Sequence, residues 1–185
     1  MYKLLSAYIK EKITIGDADL KTVLSYFKTL KVKKNEILVS PGEKPQKIYF
    51  ITKGCLRIFF LTEATRHFAF ENQFATALVS FITNDISKEF LQAVEDTELY
   101  YIRQSDFYEL LKIIPHWEKL YRHYLEYAYV TNTNRLMSFI TLDATERYRQ
   151  LLAQNPRVVT HLPNKMVASY LNISQETLSR LKSKA

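Results

Sequence analysis

Residues 161–185 read HLPNKMVASYLNISQETLSRLKSKA. Pro163 stands at a helix start, where its missing N–H costs nothing. Met166, Val167, Tyr170 and Leu171 then share one side of a helix of about two turns, and Ala168 is small enough to let a second helix come close. Asn172 tolerates the left-handed backbone of a tight turn, Ile173 is its apolar plug, and Ser174 is a good N-cap. The helix that begins at Gln175 buries Leu178 and Leu181 and turns Gln175, Glu176, Ser179, Arg180 and Lys182 outward. This is the helix-turn-helix design, whose second helix enters a DNA major groove by its N-terminal end.

The side chains suit that placement. Arg180 can grip guanine through O6 and N7, Glu176 can accept from a cytosine amine, and Gln175 can pair with adenine. Ser174, Thr177 and Ser179 at the helix start, with Lys165, Lys182 and Lys184, are expected on phosphates. Charge points the same way. The 185 residues carry a net +7, and residues 147–185 hold seven basic side chains against one acid, Glu176. The body before them is nearly neutral, so the polyanion-binding part is expected at the C-terminal end.

Upstream, residues 3–12 and 17–29 read as two short helices, the second capped by Asp17 and carrying Leu20, Val23, Leu24 and Phe27 at helical spacing. From about Leu30 to Arg103 the texture becomes β-branched and aromatic, with turns such as PGEKP and EATR between short runs. That pattern argues for an antiparallel roll or jelly roll rather than βαβ units. Within it Phe74, Ala77, Leu78 and Phe81 fall at i, i+3, i+4 and i+7, which predicts a short helix. After Ser105 the period is helical: residues 105–114, stopped by Pro115, then a long helix from His116 to about Thr141, then residues 143–154. The long helix has two apolar faces. One runs through Trp117, Leu120, Tyr124 and Tyr127, the other through Tyr121, Leu125, Ala128 and Phe139, and parallel self-pairing would supply the partner a second face needs.

These parts in this order resemble the family of the cyclic AMP receptor protein and the fumarate-nitrate regulator, the Crp/Fnr family of bacterial transcription factors. VASYLNISQETLSRLK resembles its helix-turn-helix, and PGEKPQKIYFITKGCLRIFF resembles its β-roll signature. The Glu95-Asp96-Thr97 boundary and the Glu146-Arg147-Tyr148 run resemble its Bacteroidetes-type branch. The resemblance implies an α+β chain: a cyclic-nucleotide-binding-like sensor over 1–115, a dimerisation helix over 116–142 with Trp117, Leu120, Tyr124 and Tyr127 in its seam, and a DNA-binding unit over 143–185. It implies a homodimer on an inverted-repeat operator in double-stranded DNA, with RNA polymerase as a further partner and a small-molecule effector. Family members continue into a β-hairpin wing, which this sequence lacks or stops short of.

The cassette that would hold a cyclic phosphate departs from the family. Its Gly-Glu pair falls near Thr76 and Ala77, and its Arg-Ser pair near Ser87 and Lys88. Without Gly for backbone approach or Arg for the phosphate, tight binding of cyclic AMP is not expected. A single Cys, Cys55, excludes disulfide frameworks and multi-cysteine metal sites within this chain, and His67 after its turn is expected to be exposed. No metal site and no cofactor is therefore expected. No apolar run approaches the roughly 20 residues of a membrane helix, and the start MYKLLSAYIKEK carries no h-region, so a cytoplasmic, reducing setting is expected. No triad and no phosphate-cradling Gly loop suggests an enzyme. The alternative is a ligand-binding module, its aromatic roll lining an apolar pocket and its helix-turn-helix serving protein contacts.

Overall fold

The structure, a computed structural model, describes residues 2–183. Helices α1 (Lys3–Lys12) and α2 (Asp17–Tyr26) lead into strands β1 (Lys28–Val32), β2 (Ile37–Val39), β3 (Lys47–Lys53), β4 (Leu56–Phe60), β5 (Thr65–Ala69) and β6 (Phe74–Ala75). Helix α3 (Leu78–Thr83) precedes β7 (Glu89–Ala93) and β8 (Thr97–Arg103). The strands form two antiparallel sheets, ordered β1-β8-β3-β6 and β2-β7-β4-β5. Val39, Ile51, Leu56, Ile58, Leu91 and Leu99 fill the space between them. The chain is α+β, a jelly roll followed by a helical region.

Strand β3 is buried on both faces from Ile48 to Ile51, which explains its unbroken apolar run. Its outer face is covered by helices: Leu5, Ile9, Val23 and Phe27 from the N-terminal pair join Ile48 and Phe50, with Phe107, Trp117 and Leu120 from beyond the roll. Gly54, between β3 and β4, has φ +98, and a Cβ there would lie 2.5 Å from Thr97 Oγ1 and 3.0 Å from Thr97 Cα. Only glycine allows the two strand ends to meet so closely.

Three expected boundaries are corrected. Helix α2 ends at Tyr26, and Lys28 and Thr29 belong to β1, where Lys28 pairs with Tyr101 and Thr29 with Tyr100. Asp17 is the first residue of α2 rather than its cap; Gly16 holds the cap position, and Lys10 donates to the Asp17 carboxylate at 2.9 Å. Phe74 lies in a strand opposite Phe50 instead of opening a helix, and α3 begins at Leu78. Its spacing fitted either period, and the empty edge of β3 decided between them.

Helices α4 (Gln104–Ile113) and α5 (Trp117–Thr141) follow. Trp117 and Leu120 are buried in this subunit's own core, Tyr124 is half-buried against Phe74 at 5.9 Å, and Tyr127 accepts from Gln73 Nε2 at 3.3 Å. The expected seam is therefore corrected: Trp117, Leu120 and Tyr124 pack within this subunit, while Tyr127 stays exposed at the edge. The other expected face is also partly used, since Tyr121 meets Phe107 at 5.2 Å and Phe139 carries two guanidinium groups. Besides Tyr127, the exposed large apolar positions on α5 are Tyr129, Val130, Leu136, Met137 and Ile140, with 129/136 and 130/137 spaced by one heptad.

Helix α6 (Ala144–Gln154) opens on a capping box formed by Asp143 and Glu146. Helix α6 stops at Gln154, before Pro156, and Pro156 then starts α7 (Pro156–His161), a helix absent from the sequence reading. Helices α8 (Asn164–Leu171) and α9 (Gln175–Lys182) flank Asn172, which is left-handed at φ 53, with Ile173 N–H donating back to Ala168 O at 3.0 Å. No helix among the described residues is long and apolar enough to cross a membrane.

Replacing Gly54 by Ala should lower the unfolding free energy by roughly 1–3 kcal/mol, read from the midpoint of urea denaturation, because both the φ angle and the Thr97 contact oppose a Cβ.

Candidate functional site

Helix α9 is anchored by one buried residue and one cap. Leu178 is fully buried among Val167, Ala168 and Leu171, and Ser174 Oγ accepts from Thr177 N–H at 3.1 Å. Gln175, Glu176, Ser179 and Arg180 consequently share an exposed face. Arg180 rests on Thr177 Oγ1 at 3.3 Å. The Ser174 hydroxyl, the helix's own amides and Arg180 hold the Glu176 carboxyl below the usual carboxylate range, so it presents a pure acceptor.

The phosphate set is only partly brought together. Ser174, Ser179 and Lys165 are exposed and Thr177 is half-buried. Lys182 is corrected: its ammonium donates to Val159 O at 2.9 Å and Asn164 Oδ1 at 2.7 Å, tying α9 to α7 and α8. A cation on the last turn of a short helix finds those acceptors because the helices cross closely there. Lys184 lies outside the described residues.

The helix-turn-helix is docked on the roll through α8. Ser169 Oγ donates to Glu63 O at 2.6 Å and accepts from Thr65 N–H at 2.8 Å. Arg135 of α5 donates to both Thr65 O and Tyr170 O at 2.8 Å. Arg157 pairs with Glu71 at 2.6 Å and lies over the Phe70 ring. Beneath these polar ties, Cys55, Phe68, Phe70 and Val94 of the roll pack with Leu151, Val158, Leu162 and Val167. Burial pushes the Cys55 thiol far up, so it serves as a small apolar side chain.

The cassette residues are mostly engaged within the roll. Thr76 is buried and donates to Lys47 O at 2.9 Å, Ala77 is buried, and Ser87 Oγ donates to Glu89 O at 2.8 Å. Lys88 is exposed, so the one cation of the cassette faces solvent. The space between the roll and α5, bounded by Ile58, Arg66, Phe74, Thr76 and Tyr124, is about 30 Å³. Its charge is already satisfied: Arg66 pairs with Glu89 and donates to Asn132 Oδ1 of α5 at 3.4 Å. Sequence reasoning missed Arg66, Glu89 and Asn132. The one signal was a polar pair, Arg66-His67, inside an aromatic strand. His67, expected to be exposed, is half-buried, and burial together with the charges of Arg66 and Arg135 pushes its pKa down to about 4.

Residues 29–113 match the cyclic nucleotide-binding domain family. No curated protein matches the chain. Among solved structures, FixK2 from Bradyrhizobium japonicum superposes with a TM-score of 0.73 at 15% identity, covering 85% of this chain and 83% of that one. The c-di-GMP responsive global regulator CLP of Xanthomonas campestris gives 0.71 at 16% identity, covering 91% of each chain. A protein from Eubacterium rectale, described as a regulator of the crp/fnr family, gives 0.70 at 16% identity, with 92% and 83% covered. At these identities the likeness is one of fold.

His67 makes a testable pH signature. Its folded pKa lies below its unfolded value, so the unfolded chain binds the extra proton between about pH 4 and 6.5, and stability falls as pH falls through that window. Between pH 7 and 4.5 the wild type should lose more unfolding free energy than His67→Gln, measured by urea denaturation at both pH values; carboxylate titration is common to the two proteins.

Proposed function

We propose that the chain is a dimeric, sequence-specific DNA-binding regulator of the Crp/Fnr type, on its Bacteroidetes-type branch, whose roll does not take cyclic AMP. The observation that carries the reading is the capped helix α9, anchored by Leu178 and presenting Gln175, Glu176, Ser179 and Arg180 together. Arg180 reads guanine, Glu176 a cytosine amine and Gln175 adenine. Ser174, Thr177, Ser179, Lys165 and Lys184 meet phosphates, whereas Lys182 acts inside the unit. The division at 1–115, 116–142 and 143–185 follows from these roles. The fold likeness to proteins named as regulators supports it.

The sensor half rests on size and charge. Ligand sites for molecules as large as a nucleotide run to about 300 Å³ and more, ten times the space beside Tyr124. An incoming phosphate would also have to displace Glu89 from Arg66. The dimer half rests on α5, whose exposed stripe from Tyr129 to Ile140 offers an apolar seam on the side away from the roll. Two such subunits present recognition helices about one DNA turn, roughly 34 Å, apart, reading inverted half-sites.

Selection from random duplex DNA should return an inverted repeat, unchanged by added cyclic AMP. On that site Arg180→Ala should cost roughly 1–3 kcal/mol of discrimination against random DNA, whereas Lys165→Ala should weaken both by a similar factor. Recovery of no preferred sequence counts against the reading. In sedimentation equilibrium the wild type should be a dimer and Leu136→Glu a monomer with an unchanged circular dichroism spectrum.

A further inference from the structure

A second cleft, of about 170 Å³, lies where α5, α6 and α8 meet, and it shares only Thr131 with the sensor pocket. Two cations line it, Arg135 and Arg147. Both guanidinium groups lie about 5 Å from one aromatic ring, that of Phe139, at 4.8 and 5.2 Å. Neither arginine has an ion-pair partner among the described residues; every hydrogen bond they make is to a backbone carbonyl. Arg135 serves Thr65 and Tyr170, and Arg147 serves Leu142 and Leu171. Arg135 Nε is buried and has no acceptor among the described residues. The rest of the lining offers neutral amides from Asn134, Gln150 and Gln154, and no carboxylate.

Two cations that line one cleft, partly desolvated and with no counter-charge among the described residues, are costly, and a bound anion removes that cost. Burial already lowers the Arg135 pKa. We infer that this hinge cleft binds a small anion carrying a phosphate or carboxylate group, gripped by Arg135 and Arg147 with the amides around it. The cleft is below the size that holds nucleotides or drug-sized ligands, which limits the occupant to a phosphate-sized group or a short carboxylic acid. Access survives self-pairing. At about 100° per residue, positions 131, 135 and 138 lie on the far side of the helix from the centre of the exposed stripe formed by 129, 130, 136, 137 and 140. Because Arg135 and Arg147 also tie α5 and α6 to α8, an anion here would steady the joint from which the recognition helix projects.

The inference does not depend on DNA binding, and its test uses protein alone. The intact chain is titrated calorimetrically with inorganic phosphate and, separately, with malonate, at constant ionic strength in chloride. Saturable binding of at least one anion with Kd below about 1 mM is expected. Binding of phosphate alone assigns the site to phosphate esters, and binding of malonate alone to carboxylates. Ser138→Leu, which fills the cleft, and Gln150→Leu, which removes an amide while keeping its bulk, should each weaken binding at least tenfold at an unchanged thermal midpoint. Either variant suffices if the other does not fold. Absence of binding by both anions overturns the inference, and so does binding that a folded variant leaves unaltered, since the exposed cations of α8 and α9 would then be its source.

Discussion

Helix α5 has to live in two environments, and the burial of its first turns decides how. Trp117 and Leu120 sit at zero to two per cent exposure among Phe107, Leu110 and Ile114. The indole N–H has no acceptor among the described residues, a cost of about 1–3 kcal/mol. Removing a buried Trp costs about 3–5 kcal/mol, so packing outweighs the orphaned donor. With that end clamped, the direction of the remaining helix follows, and so does the position of everything it carries. The stripe from Tyr129 to Ile140 faces solvent because the opposite side is already committed to the roll.

The same clamp explains how little space is left over β5. Tyr124 and Asn132 lie on the committed side and close the space over β5, while Glu89 and Arg66 neutralise each other inside it. A roll of this shape with an internal ion pair needs no ligand to satisfy its charges. The helix-turn-helix is then held against the roll by apolar contacts around Phe68 and Leu162 and by the short ties of Ser169 and Arg135. Those ties join the β4–β5 turn directly to α8, on which α9 rests.

Much of the architecture was legible because its signals are local. Asn172-Ile173-Ser174 spells a turn with its cap, and β-branched and aromatic runs between turn residues spell strands, each within a few residues. The misreadings share a cause. Phe74 fits a helical or an extended period, and only Phe50 across the ladder chose. Lys182 is a cation by sequence and a tie between helices by contact. In each case the deciding partner is more than 15 residues away.

Residue spacing by itself determined the class of the fold, the order of its parts and the outward face of α9, since period, caps and turn residues act over single turns of chain. Tertiary structure alone decided which side of α5 is inside, that Arg66 meets Glu89, and that Arg135 and Arg147 line one cleft with no counter-charge among the described residues. Sequence pattern says that a side chain is apolar or charged. What it packs against or neutralises depends on distant segments brought together by burial, and no local period encodes that.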